Sequence, residues 1–126
     1  MQITTTAVEG TPVVTIIKVH GDIDGSNYAE LSKVAEKSIE SGGTHILLDL
    51  TDTAYMGSAG LVALQTILKA IRRHHSMEAG YSHAKGHFKL LNPGEQITMM
   101  LKRVDLESYF ETFTDQDEAV ASFGKD

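Results

Sequence analysis

The stretch DLTDTAYMGSAGLVAL, residues 49–64, sets Ser58 among Gly57, Ala59 and Gly60, where a strand-like apolar run gives way to a helix-like one. A serine in that setting can attack a carbonyl, accept a phosphoryl group, or cap a helix through its hydroxyl. The nucleophile reading fails on spacing. A nucleophile elbow is G-x-S-x-G, but here the glycines stand one residue before and two after the serine. The six histidines show no ordering with an acid that would suggest a Ser-His-Asp relay. Phosphate acceptance is physically favourable instead. A phosphate at a helix N-terminus meets free N–H groups and the positive end of the helix dipole. The same dianion would repel a partner docked on that surface, giving a switch that needs no refolding. Capping is compatible with either role.

Composition narrows the classes further. The chain has 126 residues, 41% of them hydrophobic, enough for the core of one ordinary domain spanning residues 1–126. Eleven Lys and Arg against seventeen Asp and Glu give a net charge of −6, which argues against nucleic-acid binding. The local basic cluster Lys69, Arg72, Arg73, His74 and His75 reads as cations complementing a helix C-terminus. There is no cysteine, so disulfides, thiolate metal sites and thiol catalysis are excluded. No apolar run approaches the roughly 20 residues that cross a bilayer. The opening MQITTTAVEG lacks the basic and apolar regions of a signal peptide. A soluble cytoplasmic protein without cofactor or membrane association is expected.

The elements that must position Ser58 follow from periodicity. QITTTAVE, rich in β-branched residues, reads as an edge-like strand, and VVTIIKV (13–19) as a buried strand pairing with it in a hairpin. HGDIDGSN is a loop with Asp24 or Ser26 as helix cap, and residues 28–39 carry apolar groups at helical spacing. Gly42 or Gly43 ends that helix. HILLDL (45–50) is a central strand, and a helix runs from Ser58 to about Arg73. Residues 76–86 form a long polar loop. HFKLLN is a strand, PGEQITMMLKRV a helix with Pro93 in its first turn, SYFETF a short strand, and DQDEAVASF a helix with Asp115 and Glu118 at capping-box spacing. The predicted fold is α/β, a mixed, mainly parallel sheet with an N-terminal hairpin and four helices.

Connectivity then gathers the polar residues. Strands 13–19 and 45–50 are joined by one crossover helix, so they run parallel and end on the same sheet edge. The loops holding Asp22 and Asp24, and Asp52 and Ser58, leave at that edge, where such sheets place ligand and partner sites. Asp22, Asp24 and Asp52 read as an acidic docking rim, with loop solvation the plainer account of Asp52. Gly57, Ala59, Gly60 and Leu61 complete the expected contact surface. Asp49, ending its strand, is expected to hydrogen-bond the loop that presents Ser58.

These residues resemble a known family. VHGDID, then HILLDLTDTAYMGSAGLVAL, then FKLLNPGEQITMMLKRVDLESYF are similar to the STAS domain in the form of bacterial anti-sigma-factor antagonists, over residues 10–123. The most specific block is 49–61. The resemblance implies that Ser58 is phosphorylated by an ATP-dependent kinase that doubles as an anti-sigma factor, and that a PP2C-type phosphatase reverses this. The unphosphorylated domain would bind the kinase and release a sigma factor or other target, itself being no enzyme but the kinase's substrate and competitor. Two positions depart from the family: Gly57 stands where antagonists usually carry aspartate, and Ala59 replaces a common second serine.

Rival readings remain open. His74, His75, His83 and His87 are close in sequence, and His83 and His87 have the i, i+4 spacing of paired metal ligands, but no cysteine or acid pair completes a zinc set. GDIDGSN lacks the closing glutamate of a calcium loop. The serious alternative is a scaffold of the same fold, binding partners through the Ser58 face or the 76–86 loop without phosphorylation. A nucleotide- or small-anion-binding domain is more distant. A monomer or weak homodimer is expected.

Overall fold

The computed structural model describes residues 1–43, 45–74 and 86–125. In chain order the elements are β1 (Gln2–Val8), β2 (Val14–His20), α1 (Tyr28–Glu40), β3 (Ile46–Asp52), α2 (Ser58–His74), β4 (Phe88–Leu91), α3 (Glu95–Arg103), β5 (Thr112–Phe113) and α4 (Gln116–Ser122). Short 3-10 turns lie at Glu107–Tyr109 and Phe123–Lys125. The five strands form one sheet in the order β1-β2-β3-β4-β5. β1 pairs antiparallel with β2, and every later pair is parallel. The expected mixed sheet with an N-terminal hairpin and four helices is borne out.

The strand order never reverses, so successive crossovers of one hand lay their helices on one face of the sheet. There Ile17, Val19, Leu48, Leu50, Phe88 and Leu90 meet the apolar faces of α1, α2 and α3, including Leu31, Leu64, Ile67 and Ile97. Each fully buried aliphatic side chain of this kind contributes about 1.5–3 kcal/mol. The opposite face is covered in part by α4, where Val14, Ile16, Leu47 and Leu91 meet Ala119 and Phe123. Lys89 of β4 points to that face and is fully buried. Its Nζ donates to Ser122 Oγ at 2.9 Å, pairs with Glu111 at 3.5 Å and lies 4.7 Å from the Phe123 ring centre. The sequence reading assigned it no role.

Several local expectations need correction. The residue before α1 is Asn27, not Asp24 or Ser26. Asn27 Oδ1 accepts the Asp24 N–H, while the Asp24 carboxylate serves Ser26, so neither expected cap reaches the helix. Pro93 lies outside α3, which begins at Glu95 behind Gly94. Asp115 does cap α4, accepting from the Asp117 N–H at 3.2 Å. SYFETF divides into a 3-10 turn and the two-residue β5, since Leu106 and Phe110 are drawn into the core. Gly42, at φ +99°, ends α1 in the left-handed region, as anticipated. His75, His83 and nearly all of the 76–86 loop lie outside the described residues. His87 stacks on His45, ring centres 4.3 Å apart.

Candidate phosphorylation and partner-docking site

The parallel pairing of β2 and β3 brings their following loops together. Gly21, at φ +111°, turns the chain out of β2 in a conformation that a side chain would strain, and its N–H donates to Asp52 O at 3.1 Å. Two residues on, Ile23 N donates to Tyr55 O at 3.0 Å, and Gly57 N donates to Ile23 O at 2.8 Å. This isolated parallel bridge between Ile23 and Met56 extends the sheet beyond its strands. Ile23 and Met56 are both fully buried, so the bridge is pinned by packing as well as by hydrogen bonds. Immediately after it, α2 starts at Ser58.

A second brace comes from α3. The Gln96 side chain accepts the Met56 N–H on Oε1 at 2.9 Å and donates from Nε2 to Met56 O at 3.1 Å. Both backbone groups of one loop residue are thus satisfied by one amide. Nothing in the local sequence distinguishes Gln96 from any polar residue in a first helical turn. Asp22 adds a third brace, its Oδ1 accepting the Tyr55 N–H at 3.1 Å. Asn27 Nδ2 in turn donates to Asp22 O at 2.9 Å.

Ser58 is exposed on this rigid support, the first residue of a 17-residue helix. It is not the cap: Gly57 precedes the helix, and Gly57 O accepts the Gly60 N–H at 2.9 Å. Among the described residues no hydrogen bond engages the Ser58 hydroxyl, which leaves it presented to solvent beside the N–H groups that open α2. Ala59 and Leu61 are half-buried, and Leu61 packs on the core. Gly60 is buried because Met56 crosses it: a Cβ added there would stand 2.1 Å from Met56 Cγ. Gly57 has room, since a Cβ there would meet Tyr55 at 3.6 Å, an ordinary contact. Tyr55 and Val62 leave 48% of their surface in solvent. Val62 lies four residues after Ser58, one helical turn on, so it shares that face of α2.

The three aspartates reach the same edge, as connectivity required, but in different states. Asp24 is exposed. The Ser26 hydroxyl, at 2.6 Å, and then the Ser26 N–H, at 2.8 Å, donate to it and hold its carboxyl below the ordinary value of 3.8. Asp22 faces solvent while bracing the loop. Asp52 is half exposed and engaged by His20 at 3.1 Å and Lys18 at 3.6 Å. Asp49 departs from expectation. It is buried and accepts from Thr51 N and Oγ1 at 3.0 and 2.5 Å, and Thr51 Oγ1 accepts from Asn92 Nδ2 at 3.0 Å. Its hydrogen bonds stay within β3, with Thr51 in turn meeting Asn92 of the loop after β4, rather than reaching the loop that carries Ser58.

Among the described residues no group of three or more His, Cys, Asp or Glu could hold a metal ion, and no helix is long and apolar enough to cross a membrane.

Known proteins share this architecture. A proposed anti-sigma factor antagonist from Thermotoga maritima superposes with a TM-score of 0.78 at 21% identity, covering 96% of this chain and 93% of the other. An anti-sigma factor antagonist from Mycobacterium paratuberculosis gives 0.69 at 18% identity, covering 99% and 96%. The Bacillus cell fate determinant SpoIIAA, in its phosphorylated form, gives 0.65 at 16% identity, covering 94% and 97%. At these identities the likeness is one of fold. The family model of the STAS domain matches residues 5–119, nearly the whole of the sheet and its helices, and the chain therefore belongs to the STAS domain family.

Proposed function

We propose that this protein is a non-enzymatic partner-switching regulator of the anti-sigma-factor-antagonist kind, with Ser58 as its phosphoacceptor. The observation that carries the reading is the hydroxyl of Ser58, exposed and without a hydrogen-bond partner among the described residues at the start of α2, on a loop fixed by Ile23, Asp22 and Gln96. A kinase needs an accessible hydroxyl, and a switch needs a surface whose backbone stays put when charge is added. The first N–H groups of α2 would stabilise the phosphate. A partner resting on Tyr55, Ser58, Ala59 and Val62 would meet a desolvated dianion and leave. Asp24 supplies charge at the rim. Asp22 and Gly60 act through the loop they shape, Leu61 through packing, and Asp52 within its pairing with Lys18 and His20. The partner is a serine-kinase-type anti-sigma factor, with a PP2C-type phosphatase restoring the free serine.

The uninterrupted strand order supports surface docking over the nucleotide reading, because crevices in open α/β sheets form where strand order reverses. One observation favours the scaffold alternative. Gly57 provides neither the side-chain cap nor the charge that an aspartate would bring next to the hydroxyl.

The test is capture from lysate of the native host with wild-type and Ser58→Glu baits, with phosphopeptide mass spectrometry of the recovered protein. Retention of an ATP-binding kinase by wild type alone, with phosphate on Ser58, supports the switch. Equal retention of the same partners by both baits, with Ser58 unmodified, refutes it in favour of the scaffold.

A further inference from the structure

We propose that β1 is a self-association edge, on which a second copy of this chain adds its own β1 antiparallel to form one sheet continuous across two protomers. β1 is the terminal strand of the sheet, and among the described residues no strand pairs with its outer side. Edge strands are ordinarily guarded by charge, proline, bulges or brevity. This one has none of those guards. Gln2–Val8 holds no charged residue, no proline and no glycine, and it pairs with β2 through seven consecutive residues without a bulge.

The pattern of the strand selects the occupant. A two-fold interface between antiparallel strands sets residue i against residue 10 − i when the axis passes Thr5. That register places Ile3 opposite Ala7 of the second copy, Thr4 opposite Thr6, and Thr5 opposite Thr5, so the central ITTTA meets itself as apolar on apolar and threonine on threonine, with Gln2 and Val8 facing each other at the two ends. It also keeps each side chain on its own face of the sheet. Ile3, Thr5 and Ala7 pair in the hairpin with Val19, Ile17 and Thr15, on the side of the helices, and remain there in both copies.

Two further observations favour a second copy. An open groove of about 390 Å³ runs beside the edge, lined by Thr5, Ala7, Val34, Lys37 and Ser38, and would receive the helix-side residues of an added strand. Each chain carries a net charge of −6, so copies repel over most of their surfaces, and a seven-residue uncharged strand is where contact costs least. The edge contains none of the residues that present Ser58, so this inference and the phosphorylation reading stand or fall separately.

Sedimentation equilibrium up to about 1 mM protein tests it, the range that reveals millimolar or tighter association. Wild type should show a reversible monomer–dimer equilibrium. Thr5→Lys and Thr5→Glu each place like charges together at the axis and should weaken it by roughly fivefold or more. Mixing the two variants should restore association as a heterodimer, which also shows that both are folded. Thr112→Lys, on the opposite edge strand, should leave the equilibrium unchanged. A wild type that stays monomeric throughout overturns the proposal, as does a dimer indifferent to charge at Thr5 or one broken by Thr112→Lys.

Discussion

Gly60→Ala offers a direct test of how the Ser58 loop is built. The added Cβ would stand 2.1 Å from Met56 Cγ and 2.6 Å from Sδ, and 3.4 Å from Ile23 Cγ2. Carbon–carbon contact is favourable near 3.5–4.0 Å, so Met56 has to retreat by about 1.5 Å. It is fully buried and its backbone is held by Gln96, so the retreat must strain the core. Overpacking of this kind costs about 1–3 kcal/mol. Alanine gains about 0.5 kcal/mol over glycine in a helix. The net expectation is a loss of about 1.5 kcal/mol. In a Met56→Ala background the obstacle is gone, and Gly60→Ala should instead stabilise by about 0.5 kcal/mol, a coupling of about 2 kcal/mol. Urea unfolding of the four proteins of this cycle, followed by far-UV circular dichroism, measures it. The same stability change in both backgrounds would refute the argument, because the cost would then not come from Met56.

Three more outcomes are expected. Gln96→Ala removes two hydrogen bonds and leaves the Met56 N–H and C=O unpaired, so it should cost about 2 kcal/mol and speed hydrogen exchange at Met56; unchanged exchange there would contradict the clamp. Gly57→Asp adds a Cβ that meets only ordinary contacts and puts a preferred cap before α2, so the melting temperature should rise by a few degrees for a gain of about 0.5 kcal/mol. A fall would show that the free space at Gly57 had been misjudged. The Asp24 carboxyl should titrate below 3.8 by NMR, and Ser26→Ala should move it back up by removing the stronger of its two donors. Because its pKa is depressed in the folded state, the stability it lends is complete above the unfolded value and lost as pH falls through the folded one. A titration at or above 3.8 would count against the Ser26 interaction.

Phosphorylation at Ser58 would act on a surface already fixed. The loop is bound to Ile23, Asp22 and Gln96 through its backbone, and none of those bonds uses the serine hydroxyl. Added charge can therefore change what docks without changing what is folded. That separation is the physical content of the proposed switch.

Much of this protein was legible without coordinates. The alternation of β-branched residues in QITTTAVE, the apolar run HILLDL and the helical spacing after Ser58 each fix an element by period alone, because burial on one face demands that repeat. A single crossover between two strands makes them parallel, and so the sequence determined that Asp22, Asp24, Asp52 and Ser58 share one sheet edge. What it could not determine is which of those groups is free. Asp24 is turned to its own Ser26, Asp22 to Tyr55, Asp49 to Thr51, and Asp52 to Lys18 and His20, choices set by side-chain reach across elements distant in the chain. Gln96 is forty residues from Met56, and no local pattern marks it. The burial of Lys89 was equally hidden, since a lysine in a strand reads as solvent-facing until α4 is laid over it. The sequence settled the elements and their order because secondary structure is written in short-range periodicity. Only the tertiary structure decided how Ser58 is held, because hydrogen-bond partners are chosen by proximity in space.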